Sequence, residues 1–431
     1  MDTFKRLEML RKFDNELADL LEDEEYKQRK TIGLIASENI ASPLSTCLEG
    51  SIFTNKNTEG YPGKRYVSGT TNEDKIELLA IERLKKLFGC EHANLQSGNA
   101  SIANSSVLMG LLKPGEKILS MSLSAGGHLS HGAKFNFSGK FYNVVQYGVS
   151  EETEQIDISE VRKIAIEEKP KIIICGGSAY PRLIDYAAFR KIADEVGAYL
   201  WVDAAHIIGL IAGGAIPSPV PYADVVTFST QKTLRGPRGC GVILCKEELK
   251  NKIDRGVFPG MQGGPKADMI AARAVLFKEC MTKEYSLYQH QVVKNAAALA
   301  EGCKNEGLRL VTDGTDTHLV LVKIPENIES GKEAELLLES VGIITNKNLL
   351  PFDRLSPELT SGIRIGSPLM TTRGAKEGEM NRIGHLIGIT LKNKSDKKVL
   401  DKVKQEVDKI TDKYEMFAKE WNPTDRGTIK N

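Results

Sequence analysis

The stretches VDAAH at 202–206 and STQKTLRGPRG at 229–239 hold the residues best suited to chemistry. Each follows an apolar, strand-like run, so Asp203 and Lys232 stand where two strands end. An ammonium at the end of an apolar strand is costly unless it is neutralised or paired. That makes Lys232, with Arg235 and Arg238 nearby, a candidate imine former rather than an ordinary solvated lysine. A lysine to take an aldehyde and a carboxylate to keep a pyridinium protonated as an electron sink are two requirements of pyridoxal phosphate. Its phosphate needs amide and hydroxyl donors as well.

Other chemistries lack their signatures. The chain has no G-x-x-x-x-G-K-[ST], no G-x-G-x-x-G and no G-x-S-x-G, so a Walker loop, a nicotinamide fingerprint and a serine elbow are unsupported. His128 and His131 in GGHLSHG could suggest a metal. Their loop is glycine-rich rather than helical and the glutamate of an HExxH pair is missing, so no metal is assigned.

The elements that must position these residues follow from periodicity. Short β-branched runs (KILSMSL, KIIICGG, AYLWVDAA, DVVTFST, GVILC) alternate with helical stretches from about 75 to 275, the pattern of a largely parallel α/β sheet. KIIICGG, DYAAFRKIADEVG and AYLWVDAAH read as strand, helix ending at Gly197, and strand, one right-handed crossover. Ligands gather beyond the carboxyl ends of such strands. Those ends carry Ser178, Asp203, His206 and the Thr230-Gln231-Lys232 triplet.

Residues 1–30 place Phe4, Leu7, Leu10, Phe13, Leu17 and Leu20 three or four apart, predicting an amphipathic helical arm able to pack on a partner subunit. After about 280 a smaller α+β unit is predicted. It comprises a hairpin-like pair LRLVTDG and HLVLVKI, a helix from Glu333 to Val341, then IITNKN and GIRIGSP. A last helix carries Leu400, Val403, Val407, Ile410, Tyr414 and Phe417, followed by a frayed tail NPTDRGTIKN. The predicted division is an arm at 1–30, a large domain at 31–280 and a small C-terminal domain at 281–431.

The 58 basic and 57 acidic residues leave a net charge of +1, so no overall field favours nucleic acid or an anionic membrane. The most apolar segment, from Ala198 to Ile216, is interrupted by Asp203, His206 and glycines, and does not read as a membrane span. The start of the chain lacks the apolar core of a signal peptide. Seven cysteines without a C-x-x-C spacing fit a reducing cytosol, and Cys175, Cys240 and Cys245 read as small core residues. A cytoplasmic protein is expected.

From about residue 30 to 375 the chain resembles the serine hydroxymethyltransferase family of fold-type I pyridoxal-phosphate enzymes. The likeness rests on LIASEN, TNKxxEGYPGKRY, GGHLSHG, SAYPRLIDY, VDAAHIIGL, QKTLRGPRG, VFPGMQGGP, GTDTHLVLV and TSGIRIGSP. It implies a large, mainly parallel-sheet domain and a smaller C-terminal α+β domain. Carried over residue by residue, it implies that Lys232 holds the cofactor, Asp203 pairs with its ring nitrogen, His128 stacks on its ring, and His206 and Ser178 contact its oxygen. Arg364, with Ser37 nearby, would clamp the substrate carboxylate. Glu59 would handle protons near the substrate hydroxyl, Tyr66 would stack on tetrahydrofolate, and Leu123, Gly127, Leu129 and Asn348 would touch its pterin. Gly263, Gly264 and the segment from Asn57 to Tyr66 would reach the neighbouring subunit's cofactor, implying a homodimer or a dimer of dimers with shared sites.

The chain departs from the family pattern at several of these places. Asn57 and Val67 replace tyrosines, Gln231 replaces the histidine before the lysine, Ala125 replaces the first histidine of its loop, and Glu358 stands in a folate-side SPF. The phosphate-binding stretch is rewritten at 96–104, leaving Asn99 and Ser101 as donors. The leading expectation is a tetrahydrofolate-dependent hydroxymethyltransferase interconverting a serine-type and a glycine-type amino acid. The alternatives are a specialised aldolase or transaldolase acting on another β-hydroxy amino acid or aldehyde, and a non-catalytic paralogue. If the lost phenols set specificity, serine should be processed poorly.

Overall fold

Seven strands form the sheet whose ends carry the chemistry. The computed structural model describes residues 3–416; Phe417 and the tail at 422–431 lie outside them. Across the sheet the strands run His92–Asn94, Gly241–Cys245, Val225–Ser229, Tyr199–Asp203, Ile172–Cys175, Lys117–Met121 and Asn143–Tyr147. Gly241–Cys245 is antiparallel to both its neighbours, and the remaining pairings are parallel. Ile172–Cys175 and Val225–Ser229 are buried along their whole length, which is why they read as unbroken apolar runs rather than alternating ones.

Helices cover both faces. Tyr186–Val196 is capped by Asp185, whose side chain accepts the Ala188 N–H, and closes at Gly197 with φ 68°. Its Phe189 and Ile192 join Phe228 and Phe277 in one core, while Trp201, Ile174 and Ile243 face the other side of the sheet. Just past the strand Ile172–Cys175, Gly176 has φ +107°, and a Cβ there would sit 2.1 Å from the Asp203 carbonyl oxygen. Only glycine lets that chain pass so close to the neighbouring strand end. Cys175 and Cys245 on their strands, and Cys240 just before one, are buried, as expected of small core residues.

A second core gathers Val320, Val322, Ile363, Ile365, Met380 and Ile387 around the strands Leu319–Lys323, Gly362–Gly366 and Asn346–Asn348. The long helix Lys283–Asn305 spans both cores, placing Tyr285 and Val292 in the first and Leu299 and Cys303 in the second. Among the described residues no helix is long and apolar enough to cross a membrane.

Four expectations need correction. The N-terminal arm is two helices, Thr3–Phe13 and Asn15–Arg29, because Asp14 leaves helical geometry and accepts the Leu17 N–H as an N-cap. Residues 32–34, assigned to the large domain, run with the C-terminal unit. Ile32–Gly33 pair in parallel with Ile343–Ile344, and Ile32 and Leu34 lie in the second core. LRLVTDG is not a strand. It makes one bridge, Leu310 to Val322, and then turns through Thr312 and Asp313, both at positive φ. The helix expected from Glu333 to Val341 covers Gly331–Ser340, starting two residues earlier because Ser330 is the N-cap and its side chain accepts the Glu333 N–H.

Candidate active site

Ten of the expected site residues line one cavity of about 470 Å³: Lys232, Asp203, His128, Asn99, Ser101, Ser178, His206, Gln231, Ser37 and Arg364. They come from both units, since Arg364 lies on the strand Gly362–Gly366 and Ser37 follows the segment paired with Ile343–Ile344.

Lys232 sits in a loop held through its backbone. Its carbonyl accepts from the Asn39 side chain at 3.0 Å and from the Arg235 N–H at 3.1 Å, while Thr230 Oγ1 bonds the Pro237 carbonyl. Next to it, Thr233 Oγ1 donates to the His206 carbonyl and accepts the Gly209 N–H, tying the loop to the end of the Asp203 strand. Of the two arginines near Lys232 in the chain, Arg235 lies 4.8 Å over the Tyr288 ring and Arg238 lines the cavity.

Burial pulls the Lys232 amine down to about 8. Asp203 opposes the shift, and Arg364 and Arg238 assist it. The neutral amine is the nucleophile. Addition of pyridoxal phosphate to the cofactor-free protein should therefore accelerate by about tenfold per pH unit up to about pH 8 and level off above it. Stopped-flow absorbance would measure this, and a rate flat between about pH 6 and about pH 9 would remove Lys232 from that role.

Asp203 is buried at the carboxyl end of its strand. Its Oδ2 meets His131 Nε2 and accepts from Asn104 Nδ2, both at 2.8 Å, and its Oδ1 accepts the Ala205 N–H at 3.0 Å. Burial alone would raise its pKa. The His131 hydrogen bond and the fields of His131, His128 and Lys232 outweigh burial and hold the carboxyl well below the usual range. It stays charged.

The second hydrogen of Asn104 Nδ2 reaches Ser130 Oγ at 2.8 Å, and Ser130 Oγ lies 2.6 Å from His128 Nδ1. With its own acceptor site facing Asn104, the Ser130 hydroxyl donates to His128 Nδ1, so the His128 proton resides on Nε2. Burial lowers the His128 pKa to about 4, leaving a neutral flat ring. On the other side His206 Nδ1 lies 3.3 Å from His318 Nε2, with the rings 27° apart. Burial brings His318 to about 3 and His206 well below its ordinary value.

Arg364 donates from Nε to Asn346 Oδ1 at 3.2 Å and from Nη1 to the Ser178 carbonyl at 2.6 Å. Among the described residues it forms no ion pair. Burial lowers its pKa to about 10, so it remains a cation facing the cavity.

The other expected positions lie outside this lining. Glu59, Tyr66, Gly263 and Gly264 belong to a separate surface cluster: a Cβ on Gly264 would lie 3.0 Å from Glu59 Cγ and from Asn57 Oδ1, and Tyr66, 74% exposed, packs edge-on against Phe258. Gly127 and Leu129 flank His128 in the chain, with Leu129 exposed. Gly127 has a packing reason of its own, since a Cβ would meet the Met121 carbonyl at 2.2 Å. Leu123 precedes that turn, and its carbonyl accepts the Gly126 N–H. Asn348 lies on the strand that also carries Asn346, with its Nδ2 on the Leu349 carbonyl.

Comparison with known proteins gives this geometry its context. The family model described as serine hydroxymethyltransferase matches residues 10–387. The chain belongs to the serine hydroxymethyltransferase family. A curated serine hydroxymethyltransferase of Coprothermobacter proteolyticus is 52% identical over 417 residues, spanning 97% of this chain and all of that one. Membership makes the protein a fold-type I pyridoxal-phosphate enzyme.

The cavity fits that cofactor independently of the family. Buried Ser229 Oγ, Gln231 Oε1 and Asn104 Oδ1 have no hydrogen-bond partner among the described residues, and all three residues line it. Native interiors rarely leave such atoms unmet, so a hydrogen-bonding ligand belongs there. The helix Ala100–Leu111 opens on the cavity, with Asn99 as N-cap and Ser101 in its first turn, a suitable seat for a phosphate. Asn104 and His131 are the members whose roles a reading of residues missed. Asn104 lies within the rewritten phosphate stretch, and the spacing of His131 from His128 points only toward a metal.

Proposed function

We propose that Lys232 takes the aldehyde of pyridoxal phosphate, Asp203 faces its ring nitrogen and His128 covers its ring. Asn99, Ser101 and Gln231 serve the phosphate, Ser178 and His206 meet the ring oxygen, and Arg364 with Ser37 holds the amino-acid carboxylate. The observation that carries this reading is the convergence of Lys232, Asp203 and Arg364 on one cavity. The cofactor supplies an electron sink for the amino acid's Cα.

The reaction is the interconversion of serine and glycine, with tetrahydrofolate as the one-carbon partner. Asp203, fixed as an anion, keeps a cation favourable at the ring nitrogen. His128, held neutral by burial, presents a ring face without adding a competing positive charge. Arg364 orients the substrate so that the bond to be broken stands where the sink can receive its electrons. Glu59 carries the proton at the substrate hydroxyl, and Tyr66, Leu123, Gly127, Leu129 and Asn348 contact the folate.

Glu59, Tyr66, Gly263 and Gly264 gather away from their own chain's cavity, and Phe13, Leu17 and Leu20 of the arm are exposed. Both facts support a homodimer in which each chain completes the other's site. The protein loaded with pyridoxal phosphate should convert serine to glycine at a rate that rises at least about tenfold when tetrahydrofolate is added. Product analysis by mass spectrometry measures this. Failure to cleave serine, with efficient cleavage of another β-hydroxy amino acid, would overturn the reading.

A further inference from the structure

The turn that carries Glu59 is fixed from two sides. From the buried side comes Arg65, whose side chain is 3% exposed and pairs with Glu77 Oε2 at 2.6 Å and Asp74 Oδ1 at 2.8 Å. Its Nη1 donates to the Thr58 carbonyl at 2.8 Å and the Gly60 carbonyl at 2.7 Å, one residue on either side of Glu59. Gln96 Nε2 adds a bond to the Gly60 carbonyl and another to Glu77. Thr58 Oγ1 ties the turn to the Pro265 carbonyl, and the Glu59 carbonyl accepts the Tyr66 N–H at 3.0 Å.

None of these bonds reaches the Glu59 N–H, and it donates to Asn57 Oδ1 at 3.1 Å. Asn57 is exposed, and it stands where the family pattern has a tyrosine. A side-chain oxygen two residues before an N–H closes an Asx turn, which asparagine and aspartate form and a tyrosine, with its oxygen at the far end of a ring, does not. Asn57 Oδ1 also lies against Gly264, where a Cβ would approach it to 3.0 Å. The replacement thus adds a local bond at the residue assigned to proton handling, besides removing a phenol.

We infer that Asn57 is a positioning residue: its carboxamide sets the Glu59 backbone by accepting the Glu59 N–H, so that this chain aims Glu59 without the family's tyrosine. The inference rests on the role proposed for Glu59. Asn57→Ala should therefore lower kcat for folate-dependent serine cleavage by about tenfold with the serine KM within about twofold. Asn57→Asp, which keeps the oxygen, should stay within about threefold of the parent, and Asn57→Tyr should fall with the alanine variant.

Glu59→Gln separates the two ideas. If it leaves turnover intact, the Glu59 role fails and the inference with it; if it cripples turnover while Asn57→Ala behaves as the parent, only the positioning inference is overturned. In the Glu59→Gln background the alanine change should add little. Hydrogen exchange of the peptide spanning 55–67 gives a readout apart from turnover: one amide should lose protection in Asn57→Ala and keep it in Asn57→Asp. Equal exchange in both variants would overturn the inference.

Discussion

Lys232→Ala should lower turnover by on the order of a thousandfold or more, about 4 kcal/mol of barrier, while the fold stays intact. The loop does not depend on the amine, because Asn39, Arg235, Thr230 and Thr233 hold it through backbone groups. The amine's low pKa shows that burial opposes its charge, so its removal should cost little stability. Borohydride reduction of the loaded parent should leave a pyridoxyl group on the peptide containing Lys232 and on no other; the variant should carry none. Activity within about tenfold of the parent, or a label on another lysine, would reassign the site.

Why Lys232 was legible and Asn104 was not follows from how each acts. A lysine beside an apolar strand is anomalous in its own sequence neighbourhood, because the cost of burial is local. Asn104 acts through Asp203, 99 positions away, and through Ser130, 26 positions away, and an asparagine inside a helix gives no sign of the partners it meets. The strands Ile172–Cys175, Tyr199–Asp203 and Val225–Ser229 were readable because burial on both faces demands continuous apolar side chains. LRLVTDG carries a similar pattern, yet its Leu308 and Leu310 enter the second core with a single bridge and the chain then turns, so no strand forms. The pairing of Ile32 with Ile343 spans most of the chain, so no local pattern announces it. The Glu59 cluster was placed by family resemblance alone, and its support from Arg65 depends on a buried ion pair that charge spacing does not reveal.

Arg364→Ala should raise the amino-acid KM by about 30-fold to several thousandfold, the counterpart of roughly 2–5 kcal/mol for truncating one partner of a desolvated charge pair. Arg364 has no carboxylate partner among the described residues, and its Nε and Nη1 bonds go to neutral oxygens. A buried guanidinium so placed keeps donor capacity and positive charge for a ligand, and its end-on fork matches a carboxylate. The cavity adds Lys232 and Arg238 against the single carboxylate of Asp203, so its balance favours an anionic substrate. Arg364→Lys should recover only part of the loss, since an ammonium keeps the charge but not the planar fork. If Arg364 were merely structural, both variants would lose stability while the surviving enzyme kept its KM. Steady-state kinetics and thermal unfolding on the same samples decide between these outcomes. A serine KM within about threefold of the parent in Arg364→Ala would place the carboxylate elsewhere in the cavity.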